Sequence, residues 1–225
     1  MSIYDQITSP SRPVATKMSL AMAKDIARRL PEVVQIILQQ DPLNAGVGGG
    51  FIRYALGYEN VLNDIDIFFT NEGSRTIADK ILRHAGYRKT VSTANAFTYT
   101  KENETKIQLV GRWYYPLDEH IERFDFTICQ ACIFYTQNKV WGGYAGDTFH
   151  EDCRAKELKY TQPEREEEVL SSMRRALRFT ARGYELPVED LGLLQMQINK
   201  RLTDVEFLED RQTWLTLSAR AGGDY

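Results

Sequence analysis

Disulfide-forming capacity is the first thing this chain lacks. Its three cysteines are few and odd in number, unlike the paired framework of a small secreted domain. No apolar run approaches the length of a membrane span, and residues 1–13 have no apolar core of the kind a signal peptide carries. A cytoplasmic protein without a membrane partner is the resulting expectation. Positive charge is not in excess either, since 28 Lys and Arg face 31 Asp and Glu for a net charge of −3. Nothing therefore draws the whole molecule to nucleic acid, and contact with a phosphate backbone would need a local patch. There is no internal repeat and no low-complexity tract. The glycines of residues 46–50 are followed by neither the Gly-Lys-Ser/Thr of a Walker loop nor a Gly-x-Gly-x-x-Gly pattern. His84, His120 and His150 show no metal spacing; His84 fits the last turn of a helix, and the other two read as surface residues. Cys129 and Cys132 form a Cys-x-x-Cys with no second ligand pair, and read as buried, inert thiols on opposite faces of an apolar strand.

What is present is ordinary in amount. With 225 residues, 43% of them apolar, the chain can bury one compact core or a core with a helical appendage. Helices are expected over 18–29 and 31–39, the second with Pro31 as its first residue and Val33, Val34, Ile37 and Leu38 inward. Another is expected from Ser74, as the cap, to Ala85, with Ile77, Ala78, Ile81 and Leu82 inward and Gly86 ending it. Strand-like stretches follow over 87–92, 96–101 and 106–113, then a short helix over 116–123 and a strand over 124–135. Past a glycine loop at 142–146 the pattern becomes helical, over 147–158, 164–182 and 189–208. Leu191, Leu194, Ile198, Leu202 and Val205 form the stripe of the last. The organisation read from this is a tail (1–15), a sheet-containing head (16–145) and a helical neck (146–225). The fold class is α/β, a small mixed sheet packed with helices.

The chemistry concentrates between Gly46 and Phe69. Gly48, Gly49 and Gly50 allow a ligand close to the backbone, and the apolar segment 51–56 can form a helix whose first N–H groups face phosphate. Asp64-Ile65-Asp66 follows inside an apolar run. On a strand Asp64 and Asp66 share one face while Ile65, Ile67 and Phe69 enter the core. Two carboxylates so close repel and raise each other's pKa unless a divalent cation lies between them and a substrate. Magnesium suits the pair, because it completes its shell with water and phosphate oxygens, and manganese could take its place. Further along, Arg174, Arg178 and Arg182, with Arg175, put several guanidinium groups on one helix side. They either pair with Glu164 and Glu166 to Glu168 or meet phosphate. The run Arg112-Trp113-Tyr114-Tyr115 reads as core or rim in preference to a base-stacking platform.

The pairing of Gly49-Gly50-Phe51-Ile52-Arg53 with Asp64-Ile65-Asp66-Ile67-Phe68 resembles the head of the DNA polymerase beta nucleotidyltransferase superfamily, in its branch of CCA-adding enzymes and bacterial poly(A) polymerases. Arg123-Phe124-Asp125-Phe126-Thr127-Ile128 is similar to that branch's ribose-contacting strand motif, Arg-Arg-Asp-Phe-Thr-Ile-Asn. Gly143, Asp152 and Lys156-Glu157-Leu158 are similar to its Gly-x-x-Asp-Leu segment, and residues 175–184 to its neck signature. The likeness runs from about residue 45 to 186, in the family's order. It implies transfer of a nucleoside monophosphate from a nucleoside triphosphate, ATP first among them, to a hydroxyl with release of pyrophosphate. It also implies Asp64 and Asp66 as metal ligands and Asp125 as a third carboxylate or a ribose contact. Gly49, Gly50, Arg53, Arg123, Arg175 and Arg178 become expected nucleotide contacts. The acceptor implied is an RNA 3′ end. Alternatives are a protein hydroxyl, as in an AMP-transferring toxin-like enzyme, or no reaction at all in a nucleotide-binding or structural subunit. Departures stand at Tyr54, Phe124 and Cys129, and in Glu168-Val169-Leu170-Ser171-Ser172, which keeps only the first position of the family's Glu-Asp-Pro-Leu-Arg. About 39 residues follow the neck, where the family carries body and tail domains that hold tRNA, so completion of CCA ends is not expected. No oligomeric state follows from the sequence.

Overall fold

The computed structural model describes residues 15–202 apart from 94, 112, 113 and 163–168. Strand β1 (Ala15–Lys17) leads into helices α1 (Leu20–Ala27) and α2 (Glu32–Gln40). Strand β2 (Ala45–Gly48), helix α3 (Gly50–Ala55), strand β3 (Asp64–Phe69) and helix α4 (Glu72–His84) follow. Then come β4 (Arg88–Ser92), β5 (Ala96–Thr100), β6 (Lys106–Val110), α5 (Leu117–Glu122), β7 (Ala131–Tyr135) and β8 (Trp141–Gly146). Helices α6 (Phe149–Ala155), α7 (Val169–Thr180) and α8 (Val188–Leu202) close the described chain. The α/β expectation holds: the eight strands form one mixed sheet in the order β1-β8-β7-β2-β3-β6-β5-β4. Among the described pairs only β3 and β6 run parallel.

Burial alternates along β3 as its sequence requires. Ile65, Ile67 and Phe69 are fully buried with Val47, Ile107, Leu109 and Ile133, in a core that also takes in Leu38 of α2, Leu82 of α4, Phe149 of α6, Phe179 of α7 and Leu194 of α8. Helices α6, α7 and α8 are thus packed into the same core as the sheet. The opposite sheet face carries Asp64, Asp66 and Phe68 and is covered in part by α5, whose Leu117 and Ile121 meet Cys132 and Phe134. No helix among the described residues is long and apolar enough to cross a membrane.

Several local expectations give way. Pro31 lies one residue outside α2, at its cap, with ψ 145° in the extended range. Asn71, not Ser74, caps α4: its side chain accepts from Ser74 N–H at 2.9 Å, while Ser74 is buried and bonded to Asp41. Ile77 faces solvent, leaving Ala78, Ile81 and Leu82 as the inward stripe. The expected strand over 124–135 is broken, because Thr127–Cys129 forms a 3₁₀ turn and only Ala131–Tyr135 pairs in the sheet. Cys129 therefore lies off the strand, though all three cysteines are buried free thiols. Residues 142–146 are no loop but most of β8, between β1 and β7. His120 is buried against the Phe69 carbonyl oxygen at 3.1 Å, and His150 is half-buried with Nδ1 2.9 Å from the Tyr58 hydroxyl. Of the last helix's stripe, Leu194 and Ile198 are buried and Leu191 is exposed. Arg112, Trp113, residues 164–168 and Val205 lie outside the described residues.

The glycines of β8 explain why a glycine-rich stretch can be a strand. A Cβ on Gly143 would lie 2.9 Å from the Cys132 carbonyl oxygen and 2.9 Å from Met18 Sδ. The first of these is backbone in the sheet and cannot move aside. Gly192, inside α8, has nothing within 4 Å of the same position. Gly143→Ala should lower unfolding stability by about 1–3 kcal/mol, whereas Gly192→Ala should raise it by about 0.5–1 kcal/mol through helix propensity. Urea unfolding of the two variants checks the contrast; equal effects would contradict the strand packing.

Candidate active site

Strand pairing assembles the site. Gly48, the last residue of β2, is in register with Asp66 on one side and with Cys132 on the other. The chain leaves the sheet immediately afterwards through Gly49, at φ +64° and ψ −121°, a conformation open to glycine and costly for other residues. Gly49 N–H donates to the Ala131 carbonyl at 3.1 Å, so the turn is anchored to β7 before α3 begins. The glycine turn and the Asp64–Asp66 pair expected from sequence therefore lie side by side at one end of the sheet.

Asp64 and Asp66 are half-buried on the face away from the core. Gln108 of β6, in register with Asp66 across the parallel pair and only 5% exposed, donates through Nε2 to Asp64 Oδ2 at 3.1 Å. Burial and the neighbouring Asp64 charge push the Asp66 carboxyl up to about 8, against the opposing pull of Arg53 and Arg175. Without a cation the pair thus holds a proton near neutrality. Lys106, exposed at the start of β6, is in register with Asp64.

Asp125 is 2% exposed and its Oδ2 accepts from Arg175 Nε at 2.7 Å. It sits just before the 3₁₀ turn, held by Thr161 N–H on its carbonyl (3.0 Å) and by Thr127 N–H on the Lys159 carbonyl (3.1 Å). Arg175 reaches it from α7, whose Ser172, Ala176 and Phe179 are buried beneath. Arg53, expected among the nucleotide contacts, is enclosed by protein instead. Its Nε donates to Glu59 Oε1 at 3.0 Å, its Nη1 to the Ile128 carbonyl at 2.9 Å, and its guanidinium lies 5.0 Å from the Phe179 ring centre. Tyr184 donates to the same Glu59 oxygen at 3.1 Å. Burial raises the Tyr184 pKa, with the Glu59 charge acting in the same direction. Arg123 is turned onto the Tyr115 ring at 4.0 Å, and Arg178 is half-buried on α7. Asp152, read as part of a family segment, is fully buried against Thr148 Oγ1 and Lys159 Nζ, each at 2.6 Å. Gln108, Glu59 and Tyr184 were missed by sequence reasoning. The Ile107-Gln108-Leu109 alternation alone could have flagged Gln108 as facing away from the core.

The donor set fits a hard divalent cation. Two carboxylates share a face, and Asp66 is raised by burial and by the Asp64 repulsion that such a cation would relieve. Among the described residues no group of three or more His, Cys, Asp or Glu gathers, so a cation here would complete its shell from phosphate and water.

The family model of Gabija anti-defense 2 family proteins matches residues 19–156, more than half of the chain. The chain belongs to the Gabija anti-defense 2 family. None of the curated proteins matches it. Among solved structures it is similar to a tRNA nucleotidyltransferase complexed with a primer tRNA and an incoming ATP analogue. The TM-score is 0.56 at 20% identity, over 82% of this chain and 60% of that one. The Thermotoga maritima CCA-adding enzyme complexed with tRNA gives 0.56 at 16% identity, over 86% of this chain and 47% of the other. A CCA-adding enzyme in complex with ATP gives 0.56 at 13% identity, over 88% and 54%. At these identities the likeness is one of fold, a nucleotidyltransferase-like fold, and the chain spans 47% to 60% of the length of these three neighbours.

Two tests follow. The Asp66 carboxyl is raised, so between its unfolded value near 4 and its folded value of about 8 the native state binds more protons than the unfolded chain. Stability in the absence of divalent cations should therefore fall as pH rises through that window and level off above it. Asp66→Asn should flatten the slope, as urea midpoints across pH would reveal. Second, Arg53→Met leaves Glu59 as a buried unpaired charge and should cost about 3–5 kcal/mol of stability. A stable variant that loses only triphosphate affinity would make Arg53 a ligand contact after all.

Proposed function

We propose that this protein is a metal-dependent nucleotidyltransferase that moves a nucleoside monophosphate from a triphosphate, ATP first, to a hydroxyl acceptor in the cytoplasm. The observation that carries the reading is the Asp64–Asp66 pair on one strand face, in register with the residue that opens the Gly49 turn. Asp64 and Asp66 would hold magnesium or manganese, with Gln108 fixing one Asp64 oxygen. When bound, the cation supplies charge that stabilises the attacking and leaving oxygens at phosphorus. Gly49 and Gly50 leave room for phosphate against the backbone, and Arg175 and Arg178 of α7 offer guanidinium groups to it. Arg123, stacked on Tyr115, would meet the ribose side. The nucleotidyltransferase-like fold supports this reading, and its neighbours were solved with ATP or tRNA in place.

Two acceptors are in play. The fold neighbours support an RNA 3′ end. The other is a protein hydroxyl, as an AMP-transferring enzyme would use. The net charge of −3 asks for no extended nucleic-acid surface.

The test is incubation with magnesium and each labelled triphosphate, offering total RNA, tRNA lacking its 3′ end and whole-cell protein side by side. Label should enter one class of acceptor. Asp66→Asn should cut transfer about a thousandfold or more while leaving the fold intact, because it removes charge that acts in the transition state. Transfer undiminished in that variant would refute the assignment. Binding of triphosphate without any transfer would leave a nucleotide-binding subunit, and ordered addition of C, C and A to tRNA alone would make it a CCA-adding enzyme.

A further inference from the structure

We propose that the hydroxyl acceptor is a tyrosine in a basic segment of another protein, its ring seated on Phe68 beside Asp66. The inference rests on the nucleotidyl-transfer reading above and goes beyond it by choosing the acceptor and naming what holds it. Phe68 follows Asp64 and Asp66 on the same strand face, and is half-buried where Ile67 and Phe69 are enclosed. Its ring leans over the neighbouring strand: a Cβ on Gly48, the residue in register with Asp66, would lie 3.2 Å from Phe68 Cε2. The missing side chain of Gly48 thus gives the ring its place, at the glycine turn and next to the carboxylate pair. Phe124 packs on it edge to face at 5.3 Å and His120 at 5.5 Å, which fixes it from the side of α5. Such a ring adds no ligand for a cation and no donor for phosphate. What it can hold is another ring.

A nucleobase and a phenol are both planar, but a nucleobase brings phosphates with it, and the ground beside Phe68 is acidic. Helix α5 turns Asp118 and Glu119 to solvent and leaves Glu122 half-exposed, and none of these makes an ion pair among the described residues. Arg123, which ends the helix, is spread over the Tyr115 ring at 4.0 Å. A flank with more carboxylates than guanidinium groups repels a phosphate backbone and attracts Lys and Arg. The reaction points the same way. Asp125 is 2% exposed and bonded to Arg175 Nε at 2.7 Å, and no third acidic group gathers with Asp64 and Asp66 among the described residues. With those two engaged by a cation, no carboxylate is left to draw the proton from an unreactive hydroxyl. A phenol needs little help, since it ionises at about 10 against roughly 16 for water. Its oxygen would bond to the α-phosphorus as the bond from that atom to the leaving pyrophosphate breaks. Pyrophosphate takes the electron pair, solvent takes the phenolic proton, and the product is a phosphodiester between tyrosine and nucleoside.

The experiment measures both binding and transfer on the full chain in magnesium. The peptides Lys-Lys-Tyr-Lys-Lys, Glu-Glu-Tyr-Glu-Glu, Lys-Lys-Ser-Lys-Lys and Lys-Lys-Phe-Lys-Lys would be titrated by fluorescence anisotropy, then offered with labelled ATP alongside single-stranded RNA. The basic tyrosine peptide should bind about tenfold tighter than the acidic one and carry the label on its phenol. The serine peptide should take about tenfold less label or lower still, and the phenylalanine peptide should bind without being labelled. Phe68→Ala should weaken the basic tyrosine peptide about tenfold, the worth of a ring contact, and leave ATP affinity by calorimetry within about twofold. Glu119→Lys with Glu122→Lys, on the outer side of α5 and clear of the core, should reverse the preference between Lys and Glu peptides. RNA labelled ahead of every peptide, Ser labelled as well as Tyr, or indifference to peptide charge would overturn the proposal. So would loss of ATP affinity in Phe68→Ala, which would make the ring a platform for the nucleotide's own base. ATP bound without transfer to any acceptor, or not bound at all, would instead remove the nucleotidyl-transfer reading itself, and this inference with it.

Discussion

The buried Arg53 guanidinium is the contact on which the arrangement of the molecule turns. It begins on the short helix after the glycine turn and ends on groups from three other segments: Glu59 in the loop to β3, the Ile128 carbonyl in the 3₁₀ turn, and the Phe179 ring on the neck. Tyr184, beyond the neck helix, closes the cluster on Glu59. A charge taken this far from water is tolerated only when its partners are complete, and each partner lies on an element that also shapes the site. The glycine turn, the segment carrying Asp125 and the helix carrying Arg175 are therefore held in one relation by one side chain. This explains why α7 shares the core of the sheet.

The second constraint is electrostatic. Asp64 and Asp66 repel each other in a half-buried setting, where Gln108 donates a neutral amide to Asp64 and the charges of Arg53 and Arg175, paired with Glu59 and Asp125, act on Asp66 against that repulsion. The Asp66 carboxyl nevertheless stays raised, and a group so placed is one that a ligand's charge can complete. The sheet makes this possible cheaply, since Ile65 and Ile67 on the reverse of the same strand are fully buried and fix the backbone that presents the carboxylates.

The sequence made the period-two signals and the glycine punctuation legible. Asp-Ile-Asp-Ile-Phe-Phe could only alternate between a core and a second face, and the glycines before it could only be a turn or a close approach, so the carboxylate pair beside the turn was readable. The break at Thr127 was not, because Phe124 to Tyr135 is mostly apolar and sets Asp125 and Thr127 at alternate positions, as a strand would, and the turn carries no glycine or proline to mark it. Gly142 to Gly146 misled for the opposite reason: glycine normally punctuates, but here it lets β8 lie close against Cys132, Ile133 and Gln130. Gln108 and Glu59 depend on which strands and loops become neighbours. Pairing of β6 beside β3 across a connection that holds a helix and two strands is a tertiary fact with no local trace. The position of Arg53 was readable as a motif residue, yet its burial was not, since a guanidinium flanked by apolar residues has the same spelling whether it faces phosphate or a buried glutamate.

These charges also bear on the order in which ligands would arrive. With the cation absent, Asp66 is held up to about 8 and the pair retains a proton near neutral pH. A bare divalent cation would have to displace that proton and would find two protein carboxylates for a shell that wants more oxygens. A bare triphosphate would meet Arg175 but also the negative charge of Asp64. Cation and triphosphate together remove both difficulties, since the phosphates complete the shell and the cation neutralises the field they would otherwise oppose. On the proposed function, a site with two carboxylates and guanidinium groups on α7 is thus suited to take a nucleotide as a metal complex. Loading would be coupled to loss of a proton, and emptying to its return.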